Sequence, residues 1–154
     1  MAPKVGHKMK MYRNTGTIGV PVWSEVDEVG DVSIPDFSMG MAELKRRANN
    51  YTKNLATLMQ SISFEFRMHF GLDSTNYDAI RANFLAGTAE EWAVMSGDIT
   101  TSGEEGLRVP VLVEQFPWDQ ALEEVSGHDV RLAIAYFEES VSSSEVDPSW
   151  YTVS

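Results

Sequence analysis

Residues 61–70, Ser-Ile-Ser-Phe-Glu-Phe-Arg-Met-His-Phe, alternate polar and apolar side chains without a break. In an extended chain this puts Ile62, Phe64, Phe66, Met68 and Phe70 on one face and Ser61, Ser63, Glu65, Arg67 and His69 on the other. A slip of one residue would turn five large apolar groups into water. The segment is therefore a half-buried strand, and the rest of the chain must supply a core for one of its faces.

The same period recurs elsewhere. Short strands are expected over residues 8–13, 22–26, 31–37 and 91–95. A further strand over 107–115 contains Pro110, which argues for an edge or a bulge, and the strand over 128–138 places Val130, Leu132, Ile134 and Tyr136 inward. One segment breaks the rhythm. Asp73-Ser74 caps a helix on which Tyr77, Ile80 and Phe84 recur at helical spacing, and Gly87 supplies its stop.

Residues 39–58 fit neither period. They are expected to form a long loop carrying Lys45, Arg46, Arg47 and Lys53, with an optional helical turn at 42–48. The tail reads as a linker around Ser142-Ser143-Ser144 that ends in two aromatics, Trp150 and Tyr151. With 154 residues, one core is enough. The division expected is a β domain over 1–137 and a C-terminal extension over 138–154.

Composition narrows the chemistry. Cysteine is absent, which removes disulfides, thiol nucleophiles and zinc–thiolate sites. The net charge is −11, and residues 71–154 hold sixteen acids against three bases. Such a chain is poorly suited to gripping nucleic-acid phosphates or an anionic membrane. No secretory signal or membrane-length apolar run is present, so the protein is expected to be made in a cytoplasm and not to bind membranes.

Catalytic signatures are missing as well. His7, His69 and His128 have no sequence-local partners, and Asp73-x-x-Asn76-x-Asp78 lacks the spacing of a calcium loop. The acidic pairs Glu90-Glu91, Glu104-Glu105, Glu123-Glu124 and Glu138-Glu139 read as solvated carboxylates, since neighbours in a strand point to opposite faces. No catalytic residue, cofactor or metal is expected.

Several segments, in order, carry a resemblance. They are Met11-Tyr12-Arg13-Asn14-Thr15-Gly16, Arg47-Ala48-Asn49-Asn50 leading to Ala56-Thr57-Leu58, and Gly87-Thr88 before Glu91-Trp92-Ala93-Val94-Met95. Gly106-Leu107-Arg108 and Pro117-Trp118-Asp119-Gln120-Ala121-Leu122-Glu123-Glu124 complete the series. Over about residues 8–137 the chain resembles the tail tube (major tail) proteins of bacteriophages and prophages.

That resemblance implies a mainly β fold, a sandwich or partial barrel with one flanking helix and a long inter-subunit loop, as also seen in the type VI secretion tube protein. It implies a structural, non-enzymatic subunit of the virion tail, assembled in the host bacterial cytoplasm. Homo-hexameric rings would stack into a tube, with a sheath, a tail terminator and baseplate or tip proteins as partners. Double-stranded DNA would pass through an acidic lumen without tight binding, because like charge lets the duplex slide.

Within that frame Lys45, Arg46, Arg47 and Lys53 are the expected inter-subunit contacts. Ser61, Ser63, Glu65, Arg67 and His69 are expected to face the lumen. The resemblance does not extend to the tail, where Trp150 and Tyr151, poorly placed if left in water, are expected to anchor it on the same or an adjacent subunit. Two other readings stay open at this point: a stand-alone β-sandwich module that binds protein or carbohydrate, the latter stacked on Trp118, Trp150 or Tyr151, and an acid/base hydrolase.

Overall fold

A computed structural model describes residues 9–26, 29–33, 39–45, 47–48, 50–59, 63–69, 75–116, 118–119 and 127–154. Along them run β1 (Lys10–Asn14), β2 (Trp23–Glu25), β3 (Val29–Ser33), β4 (Met39–Leu44), β5 (Lys53–Met59), β6 (Ser63–His69), α1 (Thr75–Ala86), β7 (Glu90–Met95), β8 (Glu105–Gln115), β9 (Trp118–Asp119), β10 (Gly127–Ile134) and β11 (Ser149–Thr152). Nine strands make one antiparallel sheet in the order β2-β1-β7-β8-β10-β6-β3, with β9 added to β10 and β11 to β8. Among the described residues the fold is mainly β with one helix, as expected.

The alternating segment behaves as its period requires. Phe64, Phe66 and Met68 are buried, and Glu65 on the opposite face is exposed. Phe66 meets Trp92 of β7 with ring centroids 5.8 Å apart, although β8 and β10 stand between their strands. Three strand spacings in a flat sheet would separate them by roughly 14 Å. The sheet therefore curls, and its concave face holds a core that includes Met11, Phe64, Phe66, Trp92, Val111 and Leu132.

The helix closes this core over β8. Ile80 is fully buried, and Tyr77 and Phe84 pack against Phe116 at 5.8 and 6.0 Å. Gly87 ends the helix with φ +66°, a left-handed conformation that only glycine adopts without strain. The expected cap at Asp73-Ser74 lies outside the described residues.

Pro110 sits in the middle of β8, not at an edge. Its carbonyl accepts the Ala135 amide at 3.1 Å, so its missing N–H faces the same neighbour. The β8–β10 ladder stops there, and residues 135–148 leave the sheet. The chain returns as β11, pairing Ser149 with Arg108 and Thr152 with Glu105, and so continues along β8 the line that β10 abandoned. Tyr136, expected inward, falls just past the break and is 67% exposed. The serine run forms a turn in this excursion, with Ser143 at φ 54° and a bridge between Glu138 and Glu145.

The largest departure is in residues 39–58. Their described residues show neither a long loop nor a helical turn; β4 and β5 form a separate two-stranded antiparallel hairpin.

Candidate functional site

Three surfaces take up the residues singled out by the sequence. The first is the β4–β5 hairpin, which pairs within itself and adds no strand to the main sheet. Met41 and Leu55, paired with Ala56 and Ala42 respectively, point to opposite faces of the hairpin and are 62% and 55% exposed. Lys53 opens β5 opposite Leu44, Lys45 follows β4, and Arg47 lies in the connecting turn. The structure thus brings Lys45, Arg47 and Lys53 to one exposed tip, where Lys45 also lies 3.5 Å from Glu43. Arg46 lies outside the described residues.

The second surface is the polar face of β6 and β10. Ser63, Glu65, Arg67 and His69 share it, and Ser61 lies outside the described residues. Register sets Glu65 opposite Arg131 and Arg67 opposite Asp129. Arg67 Nη1 reaches Asp129 Oδ1 at 3.2 Å, and Arg131 Nε lies 3.9 Å from Glu114 on β8. Acids and bases alternate here, so the local charge is close to balanced despite the chain's −11. At its end His69 Nδ1 is buried without a hydrogen-bond partner.

The third is the C-terminal strand. Trp150 Nε1 donates to Glu105 Oε2 at 3.3 Å, and the Tyr151 ring lies under the Arg108 guanidinium at 5.3 Å. Trp23 takes the other contact with that guanidinium, at 5.2 Å. The tail is thereby anchored on its own chain. With its ring covered in this way, Tyr151 offers no open platform for a sugar. Trp150 does remain 64% exposed.

Sequence reasoning missed the buried ionic groups that tie the helix, the 15–22 loop and the C-terminal strand to the sheet. On the convex face Arg108 Nη2 and Nε donate to Glu91 Oε1 at 2.7 and 3.2 Å, and Nη2 also donates to the Ile18 carbonyl at 3.1 Å. Asn14 Nδ2 donates to the same carboxylate at 3.0 Å, while its Oδ1 accepts the amides of Gly16 and Val22. This network ties the 15–22 loop to β7, β8 and β11.

On the concave face Arg13 Nε donates to Glu90 Oε1 at 2.8 Å and its Nη1 to Asn76 Oδ1 at 2.7 Å. Asn76 Nδ2 then reaches the Glu25 carbonyl, and Asn83 Nδ2 reaches Glu90 Oε2, fastening the helix to the sheet. Glu90 and Glu91 are therefore structural counter-ions, which corrects their reading as solvated carboxylates. The available signal was Trp92-Ala93-Val94-Met95, an unbroken apolar run typical of a strand covered on both sides.

Charged groups at the rim are set by ordinary contacts. The Thr100 hydroxyl and amide hold the Asp98 carboxyl below its usual range, and Lys10 is raised chiefly by its hydrogen bond to Glu25. Tyr136 is raised chiefly by its hydrogen bond to Glu138. Among the described residues no group of three or more His, Asp or Glu is arranged to hold a metal ion.

No protein-family model and no curated protein sequence matches this chain. Solved structures do. The tail of an empty gene transfer agent particle, refined with C6 symmetry, aligns with a TM-score of 0.66 at 14% identity, covering 86% of this chain and 95% of that one. The SPP1 tail tube aligns at 0.64 and 12% identity, over 86% of this chain and 76% of that one. A chain of the sheath–tube complex of an extracellular contractile injection system aligns at 0.64 and 9% identity, over 98% and 93%. At these identities the likeness is one of fold. The curled antiparallel sheet with its flanking helix is a tail tube fold, shared with gene transfer agent and phage tails and with contractile injection tubes.

Proposed function

We propose that this chain is a non-enzymatic tail tube subunit of a virion or virion-like particle, whose copies form six-membered rings that stack into a hollow tube. The observation that carries this reading is the β4–β5 hairpin, exposed on both faces and, among the described residues, paired only with itself. A lone two-stranded hairpin is marginal in water, so it gains its order by lying on another surface. A second copy is the natural supplier. Its tip carries Lys45, Arg47 and Lys53, with Arg46 beside them in sequence, whereas the chain as a whole has an excess of acids. Complementary charge of this kind sets register and speeds encounter.

In this reading the polar face of β6 and β10 looks into the lumen. Its alternating Glu65, Arg67, Asp129 and Arg131 would present little net attraction to phosphate, so a DNA duplex would pass without being held. A sheath, terminator or baseplate would meet the outer surface and the tube ends. The test is negative-stain microscopy of concentrated protein at moderate salt. Six-fold rings and stacked tubes are expected; monodisperse monomers under all such conditions would overturn the proposal.

A further inference from the structure

Beside the C-terminal strand lies an open cavity of about 200 Å³, lined by Met9, Phe64, Val94, Leu107, Trp150 and Glu105 among others. It is smaller than the roughly 300–1,000 Å³ of small-molecule sites, so it suits one or two side chains. Its walls are mostly apolar. Its rim is acidic: Glu105 lines it, and Ser96, also in the lining, donates to Glu104 Oε2 at 2.5 Å. Trp150 and Met9 stand at the mouth, 64% and 53% exposed.

We propose that this cavity receives Leu55 from the hairpin of a second copy, with Lys53 of that hairpin reaching the carboxylates of Glu104 and Glu105. Leu55 and Lys53 lie two residues apart on one face of β5, a separation of about 7 Å. That pairs an apolar group with a cation in the same pattern as the apolar cavity and its acidic rim. Leu55 is an exposed apolar residue on a hairpin that, among the described residues, pairs with no strand of the main sheet, and Trp150 is an exposed aromatic beside an apolar hollow. Joining the two removes both from water and gives the contact a central anchor inside a charged rim.

This inference rests on the assembly proposed above and goes further by naming the receiving surface. The chain has no cysteine, so introduced thiols are unique. The experiment is mild oxidation of assembled Leu55→Cys/Trp150→Cys protein, with Leu55→Cys/Met9→Cys as a second pair in case one pair is badly oriented. Most of the monomer band should convert to a ladder of covalent dimers, trimers and higher species, whereas each single variant stops at dimers. Tubes in micrographs with no ladder from either pair would overturn the inference and leave the assembly reading intact. A cross-link that leaves monomers would also overturn it, by placing the hairpin on its own chain. Absence of tubes in the unmodified protein would instead defeat the assembly reading beneath it.

Discussion

Glu90 and Glu91, adjacent in β7, hold different arginines on opposite faces of the sheet: Glu90 takes Arg13 at 2.8 Å and Glu91 takes Arg108 at 2.7 Å. Strand geometry makes this possible, because consecutive side chains point to opposite sides. The two pairs divide the labour. Arg13 and Glu90 fasten the helix to the concave side, while Arg108 and Glu91 fasten the 15–22 loop and β11 to the convex side. The core is thus flanked by two ionic clamps, one holding the helix and the other the 15–22 loop and the C-terminal strand.

Removing one partner of the convex clamp leaves a largely buried charge uncompensated. Such single losses cost about 3–5 kcal/mol. Arg108 keeps 15% of its side chain exposed, so Glu91→Gln should fall near the lower end, about 3 kcal/mol. The double variant Glu91→Gln/Arg108→Met should lose less than the sum of the single changes, with a coupling of about 1–3 kcal/mol. Urea unfolding of the four proteins measures it. Strict additivity would mean that the pair does not act as a clamp.

How much of this was legible depends on where each residue's partner lies. β6 was readable because the five apolar side chains that alternate through residues 61–70 demand a common face. The β4 and β5 strands were not, because MGMAEL and KNLATLM carry no clean apolar face and are exposed on both sides. Their strand character depends on pairing with each other, which no period in either segment announces. Tyr136 misled for a different reason: its alternation continues, but Pro110 on the neighbouring strand ends the ladder before it. The charge pairs of β7 were hidden by distance, since Arg13 lies 77 residues from Glu90. Only a folded chain brings them together. The tail's aromatic anchors were visible in the sequence, but their partners Glu105 and Arg108 were not.

Alkaline pH should loosen the convex side. Burial raises the Tyr12 phenol above its ordinary value, more than the hydrogen bond its oxygen accepts from the Ile99 amide lowers it. The folded state therefore holds this proton more tightly than the unfolded chain does. Its contribution is complete below about pH 10 and is lost as pH rises through the folded value. Lys10, also raised, acts in the same direction above its ordinary value. Tyr12→Phe should cost about 1–3 kcal/mol at pH 8 by leaving the Ile99 amide unpaired. It should also make the fall in urea midpoint between pH 9.5 and 11.5 shallower than in the parent.

The basic tip makes a separable prediction. Lys53 and Arg47 are exposed, so Arg47→Glu/Lys53→Glu should change domain stability by no more than about 0.5 kcal/mol. Placed against an acidic neighbour, the reversed charges should abolish tubes. Thermal melting of the monomer and microscopy of the concentrated protein give the two readouts. Tubes of normal length and abundance would remove the tip from the interface.

Glu65 reports on the lumen. Its position on the polar face of β6 is set by the burial of Phe64 and Phe66 on either side, so its side chain must leave the core whatever the assembly does. In a tube this face has three possible fates: the lumen, the exterior or a subunit contact. Glu65→Cys separates them, because the thiol is the only one in the chain. A small maleimide and a bulky polyethylene-glycol maleimide should both label the dispersed subunit. On assembly, lumen placement should cut the rate of the bulky reagent at least ten-fold while the small one still enters. Unchanged rates for both reagents would put Glu65 outside, and loss of both would put it in a contact between copies. Either result would overturn the lumen assignment while leaving the fold as it stands, because the alternation of β6 fixes only which face meets the core.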